Sequence, residues 1–156
     1  MKFVGRFEHS FDAKGRLTIP AKFRQGLAEE EPEKYGFWLT IDPDECVSMY
    51  TPKGWKDFET YFSINPFQSE ESRSVKRWFY SSADFFELDS SGRILVPDYL
   101  KKHAGISNQV VLVGVNDRIE IWSPERWEQF EAQIAPNFKG FMQAVHEEMS
   151  RQNQSS

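Results

Sequence analysis

The run Phe11-Asp12-Ala13-Lys14-Gly15-Arg16-Leu17-Thr18-Ile19-Pro20 returns 77 positions later as Leu88-Asp89-Ser90-Ser91-Gly92-Arg93-Ile94-Leu95-Val96-Pro97. Pro52, Trp55, Phe58 and Glu59 likewise reappear as Pro124, Trp127, Phe130 and Glu131, now 72 positions on, so the first copy holds five extra residues in its middle. A chain built from two such units need not close a core within either one. Function is then expected where the copies meet or on the loops they share.

The 156 residues suit one ordinary domain or two small, closely packed halves. A hydrophobic fraction of 39%, with 14 Phe and 5 Trp, supplies a core and argues against a disordered chain. The single Cys46 excludes an internal disulfide framework and any thiolate cluster for zinc, and reads as a half-buried strand residue. No run approaches the roughly 20 apolar residues of a membrane span, and no charged-then-apolar leader opens the sequence. A soluble, cytoplasmic protein without membrane contact is expected.

The net charge of −5 is unevenly spread. Residues 1–27 carry Lys2, Arg6, Lys14, Arg16, Lys22 and Arg24 against Glu8 and Asp12. The stretch that follows carries Glu29, Glu30, Glu31, Glu33, Asp42, Asp44 and Glu45 against Lys34. Local fields govern association with a polyanion, so a basic end on an acidic body is compatible with DNA.

Residue patterns predict an α+β, β-rich chain. In the first copy, 3–11 reads as a strand, 12–15 as a turn, 16–19 as a short strand and 20–27 as a helix opened by Pro20. The acidic segment 29–34 reads as a loop. Strands 37–41 and 46–50 form a hairpin across Asp42-Pro43-Asp44-Glu45, and a helix from Pro52 aligns Trp55, Phe58 and Phe62 on one face. Asn65-Pro66 breaks that helix, and a linking helix covers 69–81. The second copy repeats the plan with strands 83–88, 93–96, 110–113 and 118–122 and helices 98–104 and 125–134. A last helix covers 138–149, and 152–156 reads as a disordered tail. The expected organisation is a first repeat 1–64, a helical connector 65–82, a second repeat 83–137, and a C-terminal helix and tail 138–156.

Nothing here reads as an enzyme. His9, His103 and His146 are scattered without metal-ligand spacing, and no Walker, G-x-S-x-G or G-x-G-x-x-G motif occurs. His9, Ser10 and Asp12 match a triad in composition only, since neighbours along a strand point to opposite faces. Neither a metal nor a cofactor nor a small-molecule substrate is expected. Asp12 and Asp89 each stand four residues before an Arg, an ion-pair spacing that would lower a carboxyl pKa rather than raise it for acid–base work.

Two uses of the Asp-x-x-x-Arg turn stand side by side. As a structural device, Asp caps the turn, Gly15 or Gly92 supplies the bend, and Arg16 or Arg93 returns to hold the carboxylate. As a reader of DNA, an exposed hairpin tip offers Arg to guanine and Lys to phosphate. The first tip has Lys14, Lys22 and Arg24, whereas the second has Ser91 for Lys14 and Tyr99 for Lys22. The first is therefore the expected main contact.

With the first motif continuing through Ala21-Lys22-Phe23-Arg24, and with the second Asp89-Ser90-Ser91-Gly92-Arg93 and the Val110-Val111-Leu112-Val113-Gly114 strand, the chain resembles the MraZ family of bacterial transcriptional regulators. The resemblance covers essentially the whole sequence. It implies an AbrB-like swapped-hairpin β-barrel made by the two halves of one chain, with flanking helices. It also implies a ring-shaped homo-oligomer that binds short G-rich direct repeats in double-stranded DNA upstream of the division and cell-wall operon, represses that operon and associates with the nucleoid. By the same resemblance Lys14 and Arg16 contact DNA. Arg6, Lys22 and Arg24 join them as phosphate contacts on physical grounds alone. Asp12, Gly15, Asp89, Gly92 and Arg93 are the structural members of the motif, and whether Arg93 also meets DNA stays open. The competing class is a protein-interaction or antitoxin-like module using Trp55, Trp78, Trp122 and Trp127. Salt separates the two, because only DNA binding should weaken steeply as salt is added.

Overall fold

The computed structural model describes residues 3–30, 33, 35–62 and 69–156. In chain order these form β1 (Phe3–Ser10), β2 (Arg16–Thr18), α1 (Ala21–Glu30), β3 (Gly36–Ile41), β4 (Val47–Tyr50), α2 (Pro52–Phe62), α3 (Glu70–Ser82), β5 (Asp84–Glu87), β6 (Arg93–Leu95), α4 (Asp98–His103), β7 (Gln109–Asn116), β8 (Ile119–Trp122), α5 (Pro124–Ile134), a 3-10 turn (Ala135–Asn137) and α6 (Phe138–Gln154). The α+β, β-rich class expected from the sequence is the one observed.

Most of the strands form an antiparallel sheet in the order β1-β7-β8-β4-β3-β5, and β2 pairs with β6 in a separate ribbon. Exchanging each strand for its repeat counterpart turns the sheet order into its own reverse, so the duplication has become a pseudo-two-fold axis. At that axis β4 meets β8, with Ser48 opposite Glu120, which are counterparts in the repeat. The hairpins are swapped between halves. β1 pairs with β7 rather than with β2, β5 pairs with β3, and Leu17 of β2 sits opposite Ile94 of β6. Among the described residues the ladder stays an open sheet plus a ribbon, not a closed barrel.

One apolar cluster joins these parts. Leu17, Ile19, Ile94 and Val96 of the ribbon region meet Phe37, Leu39, Met49, Leu112, Ile119 and Ile121 of the sheet. Phe23 and Leu27 of α1 and Leu100 of α4 complete it. Pro20 and Pro97 open their helices in the same way, each carbonyl accepting the first helical amides, from Phe23 and Arg24 in one copy and Leu100 and Lys101 in the other. A second aromatic stack ties α2 and α3 to β3: the Trp38 and Trp55 rings lie 4.9 Å apart and nearly parallel, and Phe79 stacks on Trp55 at 5.9 Å.

Several boundaries differ from the expected ones: the strand read as 110–113 runs from Gln109 to Asn116, and two helices run on past their expected ends. Helix α1 continues through Glu29 and Glu30 into the segment read as an acidic loop. Thr51 donates to Glu30 Oε2 at 2.7 Å, a tertiary bond that holds a last turn whose two carboxylates oppose the helix dipole. The rest of that loop is outside the described residues apart from Glu33, as is the Asn65-Pro66 break. Helix α6 reaches Gln154, so part of the polar segment read as a disordered tail is helical.

The chain divides into compact units Met1–Ser123, which holds the sheet and ribbon, and Pro124–Ser156, which holds α5, the 3-10 turn and α6. No described helix is long and apolar enough to cross a membrane.

Candidate nucleic-acid interface

The two Asp-x-x-x-Arg turns have the same geometry bond for bond. In the first, the Asp12 amide donates to the Arg16 carbonyl at 2.9 Å and the Gly15 amide to the Asp12 carbonyl at 3.0 Å. Asp12 Oδ1 accepts the amides of Lys14 and Arg16, each at 2.9 Å, and Oδ2 accepts Arg16 Nε at 2.8 Å. In the second, Asp89 Oδ1 accepts the amides of Ser91 and Arg93, and Oδ2 accepts Arg93 Nε at 2.8 Å. Gly15 and Gly92 supply positive φ, +76° and +75°, which an L side chain adopts only with strain.

Pairing of β2 with β6 brings the turns together. Arg16 Nη1 lies 3.8 Å from Asp89 Oδ2, and Arg93 Nη1 lies 3.9 Å from Asp12 Oδ2. Two guanidiniums and two carboxylates thus form one cross-braced cluster with no net charge. Backbone amides donated to Asp12 and Asp89, the Arg16 and Arg93 amides foremost, together with the guanidinium bonds, hold both carboxyls below the usual carboxylate range. The Arg16 side chain is 28% exposed, so it is neither sealed inside nor a freely extended cation. Its Nε–H is committed to Asp12 and its Nη1 lies beside Asp89, while part of the side chain stays open to solvent.

A positive field around this neutral cluster has to come from its neighbours. Lys14 is exposed at the first tip. Arg24, on α1 of the first half, lies over the second turn: its Nε donates to the Ile19 carbonyl at 2.9 Å, and a Cβ on Gly92 would stand 2.6 Å from Arg24 Cδ. Lys101, on α4 of the second half, lies over the first turn, its Nζ 3.9 Å from the centre of the Phe11 ring and 3.5 Å from where a Gly15 Cβ would be. Arg24 and Lys101 are 77 residues apart, so each half lays a cation from the equivalent position across the other half's turn. Sequence reasoning noted Arg24 and passed over Lys101; the repeat offset was the signal that names it.

The other expected contacts lie apart from the tip. Arg6 is on the exposed face of edge strand β1, opposite Val113. Lys22 extends toward Gly5, also on β1, with its Nζ 3.8 Å from where a Gly5 Cβ would be. Lys14, Arg16, Arg24, Arg93 and Lys101 therefore gather at the paired turns, while Arg6 and Lys22 mark the start of β1.

Among the described residues, one group has the composition of a cation site. Asp42, Cys46 and Glu120 are buried, with candidate ligand atoms within 4.8 Å of one another. Each carboxylate oxygen of Asp42 and Glu120 already accepts a hydrogen bond. Asp42 accepts the Asp44 amide and the Ser48 hydroxyl, and Glu120 accepts Arg118 Nη2 and Trp122 Nε1. Burial and the flanking carboxylates raise the Cys46 thiol far above its ordinary pKa, opposite to what a metal ligand needs. This is a hydrogen-bonded polar knot beside the pseudo-two-fold axis, with Arg118 Nε left without a partner within it.

Known proteins are similar to this chain in sequence along nearly its full length. The family described as "MraZ protein, putative antitoxin-like" matches residues 2–78 and again 79–151. Proteins named "Transcriptional regulator MraZ" are similar to this chain. That of Lactiplantibacillus plantarum is 41% identical, covering 87% of this chain and 92% of the relative. That of Desulforamulus reducens is 38% identical, covering 88% and 92%. That of Natranaerobius thermophilus is 36% identical, covering 92% and 96%.

Proposed function

The chain belongs to the MraZ family, and on that premise we propose that it is a DNA-binding transcriptional regulator whose contact surface is the pair of Asp-x-x-x-Arg turns. The observation that supports this most is the cross-braced cluster itself. Five bonds within each turn, one of them to the guanidinium Nε, hold Arg16 and Arg93, so the guanidiniums are preorganised and lose little freedom when a base or phosphate arrives. Lys14, Arg24 and Lys101 surround them with positive charge. Arg16 reads a base, Lys14 neutralises phosphate at the same tip, and Asp12 orients Arg16 without facing the polyanion. Arg6, Lys22 and Arg24 supply further phosphate contacts.

A single chain offers only a few groove-facing cations, and such contacts alone give about 10⁻⁴–10⁻⁶ M at physiological salt. Assembly into a ring of copies engaging successive G-rich direct repeats multiplies that affinity through effective concentration. The regulated target in this reading is the division and cell-wall operon, which the protein represses in the cytoplasm at the nucleoid.

The test is a gel-shift titration on a duplex carrying the direct repeats. Arg16→Ala is expected to abolish specific binding while circular dichroism and assembly size stay those of the parent. Parent-like binding by that variant removes Arg16 from the mechanism. Lys14→Ala is expected to weaken every duplex alike and to reduce the salt slope by about one.

A further inference from the structure

The pseudo-two-fold axis that relates the repeats also runs through the paired turns. Leu17 faces Ile94 across the ribbon, and the two are counterparts 77 positions apart. Arg16 and Arg93, each braced by its own aspartate, therefore present the same guanidinium twice, one on either side of the axis. A reader built from that cluster alone accepts a duplex equally well in either direction, because turning it about the axis restores the same groups.

The surrounding charge breaks this symmetry. Arg6, Lys14 and Lys22 correspond to Ala83, Ser91 and Tyr99, so three cations of the first half answer to three neutral residues of the second. All three cations are exposed. Lys14 and Ser91 occupy the same place in their turns, since the amide of each donates to the aspartate Oδ1 at 2.9 Å. Lys22 reaches toward Gly5, whereas the Tyr99 hydroxyl donates to the carbonyl of Ser82, the counterpart of Gly5. Acidic residues add to the contrast: Asp84, Glu87 and Asp98 are exposed where the first half has Phe7, Ser10 and Ala21. Glu8 against Phe85 and Lys102 against Gln25 run the opposite way. Residues 3–27 carry a net +3 and their counterparts 80–104 a net −1, with histidine neutral. Arg24 and Lys101, which lie over each other's turns, are balanced.

We infer that DNA lies across the paired turns in one direction only, and that Lys14, with Arg6 and Lys22, fixes this direction while Arg16 and Arg93 do not. Identical arginines on both sides of an axis carry no sense of direction, whereas phosphate contacts set a protein's orientation on a duplex. A salt slope of about −0.9 per phosphate contact makes each contact worth about fivefold in affinity at physiological salt. Three more contacts on one side than on the other favour one direction about a hundredfold. Every copy bound along direct repeats then faces the same way. The inference rests on the DNA reading proposed above and adds what orients it.

Directed chemical cleavage tests it on the full chain, with a duplex carrying the direct repeats and each strand labelled at one end. An iron chelate is attached to Ala13→Cys at the first tip or to Ser90→Cys at the second, while the buried Cys46 stays unlabelled. In the otherwise parental chain, strand breaks from the first label are expected toward one end of every repeat, and those from the second label toward the other end. Exchanging the tip charge, Lys14→Ser with Ser91→Lys, is expected to cut the preference between ends to about fivefold. Adding Arg6→Ala and Lys22→Gln to that exchange is expected to reverse it. Equal breaks at both ends from the parental chain overturn the inference, and so does an undiminished preference in both exchanged chains. In either case, retardation of the duplex in a gel leaves the DNA reading standing. A parent that neither cuts nor retards the duplex removes that reading itself. Circular dichroism matching the parent is the folding control. Should the exchange disturb the fold, Lys14→Gln alone takes its place, with the preference expected to fall about fivefold.

Discussion

At the scale of residues, Asp12 and Asp89 link the turn to the cluster, and their carboxyls are held below the ordinary aspartate value. A depressed folded-state pKa gives stabilisation that is complete above the unfolded value, near about 4, and is lost as pH falls through the folded value. Urea midpoints measured from pH 7 to pH 2 should therefore decline on acidification. Asp12→Asn with Asp89→Asn should remove the part of that decline owed to these two groups, and an unchanged profile would mean that the cluster contributes nothing to acid stability. The glycines offer a second check. Gly15→Ala and Gly92→Ala should each cost about 1–2 kcal/mol for left-handed backbone strain. Gly92→Ala also meets Arg24, so Arg24→Ala should relieve part of its cost in a double-mutant cycle and have no such effect on Gly15→Ala. The Asp–Arg brace was legible in the sequence because it is local, four residues apart. The cross-pairs Arg16–Asp89 and Arg93–Asp12, and the reach of Lys101 to Phe11, depend on strand exchange and leave no local signature.

At the scale of elements, periodicity gave the strands and helices well where apolar spacing was strong. Trp55, Phe58 and Phe62 read as the inner stripe of α2, and Trp55 is buried between Trp38 and Phe79. Trp55→Ala should cost about 3–5 kcal/mol in urea unfolding, the range for emptying a large aromatic site. Trp78→Ala, on the exposed side of α3, should change stability by no more than about 0.5 kcal/mol. Ends of elements were less legible. Glu29 and Glu30 look like loop residues by composition, and only Thr51, distant in sequence, explains why α1 keeps them.

At the scale of the whole molecule, β1 and β2 of the first repeat find their strand partners in β7 and β6 of the second, while β5 of the second pairs with β3 of the first. Residues 1–82 and 83–156 produced separately should each lack native structure, and mixing them should restore the circular dichroism of the parent. Either fragment folding alone would contradict the interdependence that strand exchange implies. A lone half would leave its β1 or β5 edge unpaired and its share of the apolar cluster in water.

The order of residues by itself determined the duplication, the turn chemistry of Asp12 and Asp89, the apolar faces and the α+β class, because each depends on neighbours a few positions apart. The tertiary structure decided that the turns meet, that Arg16 and Arg93 share two carboxylates, and that Arg24 and Lys101 cross between halves. Those outcomes come from pairing strands 77 residues apart, where the free energy lies in burying both halves in one core rather than in any local preference.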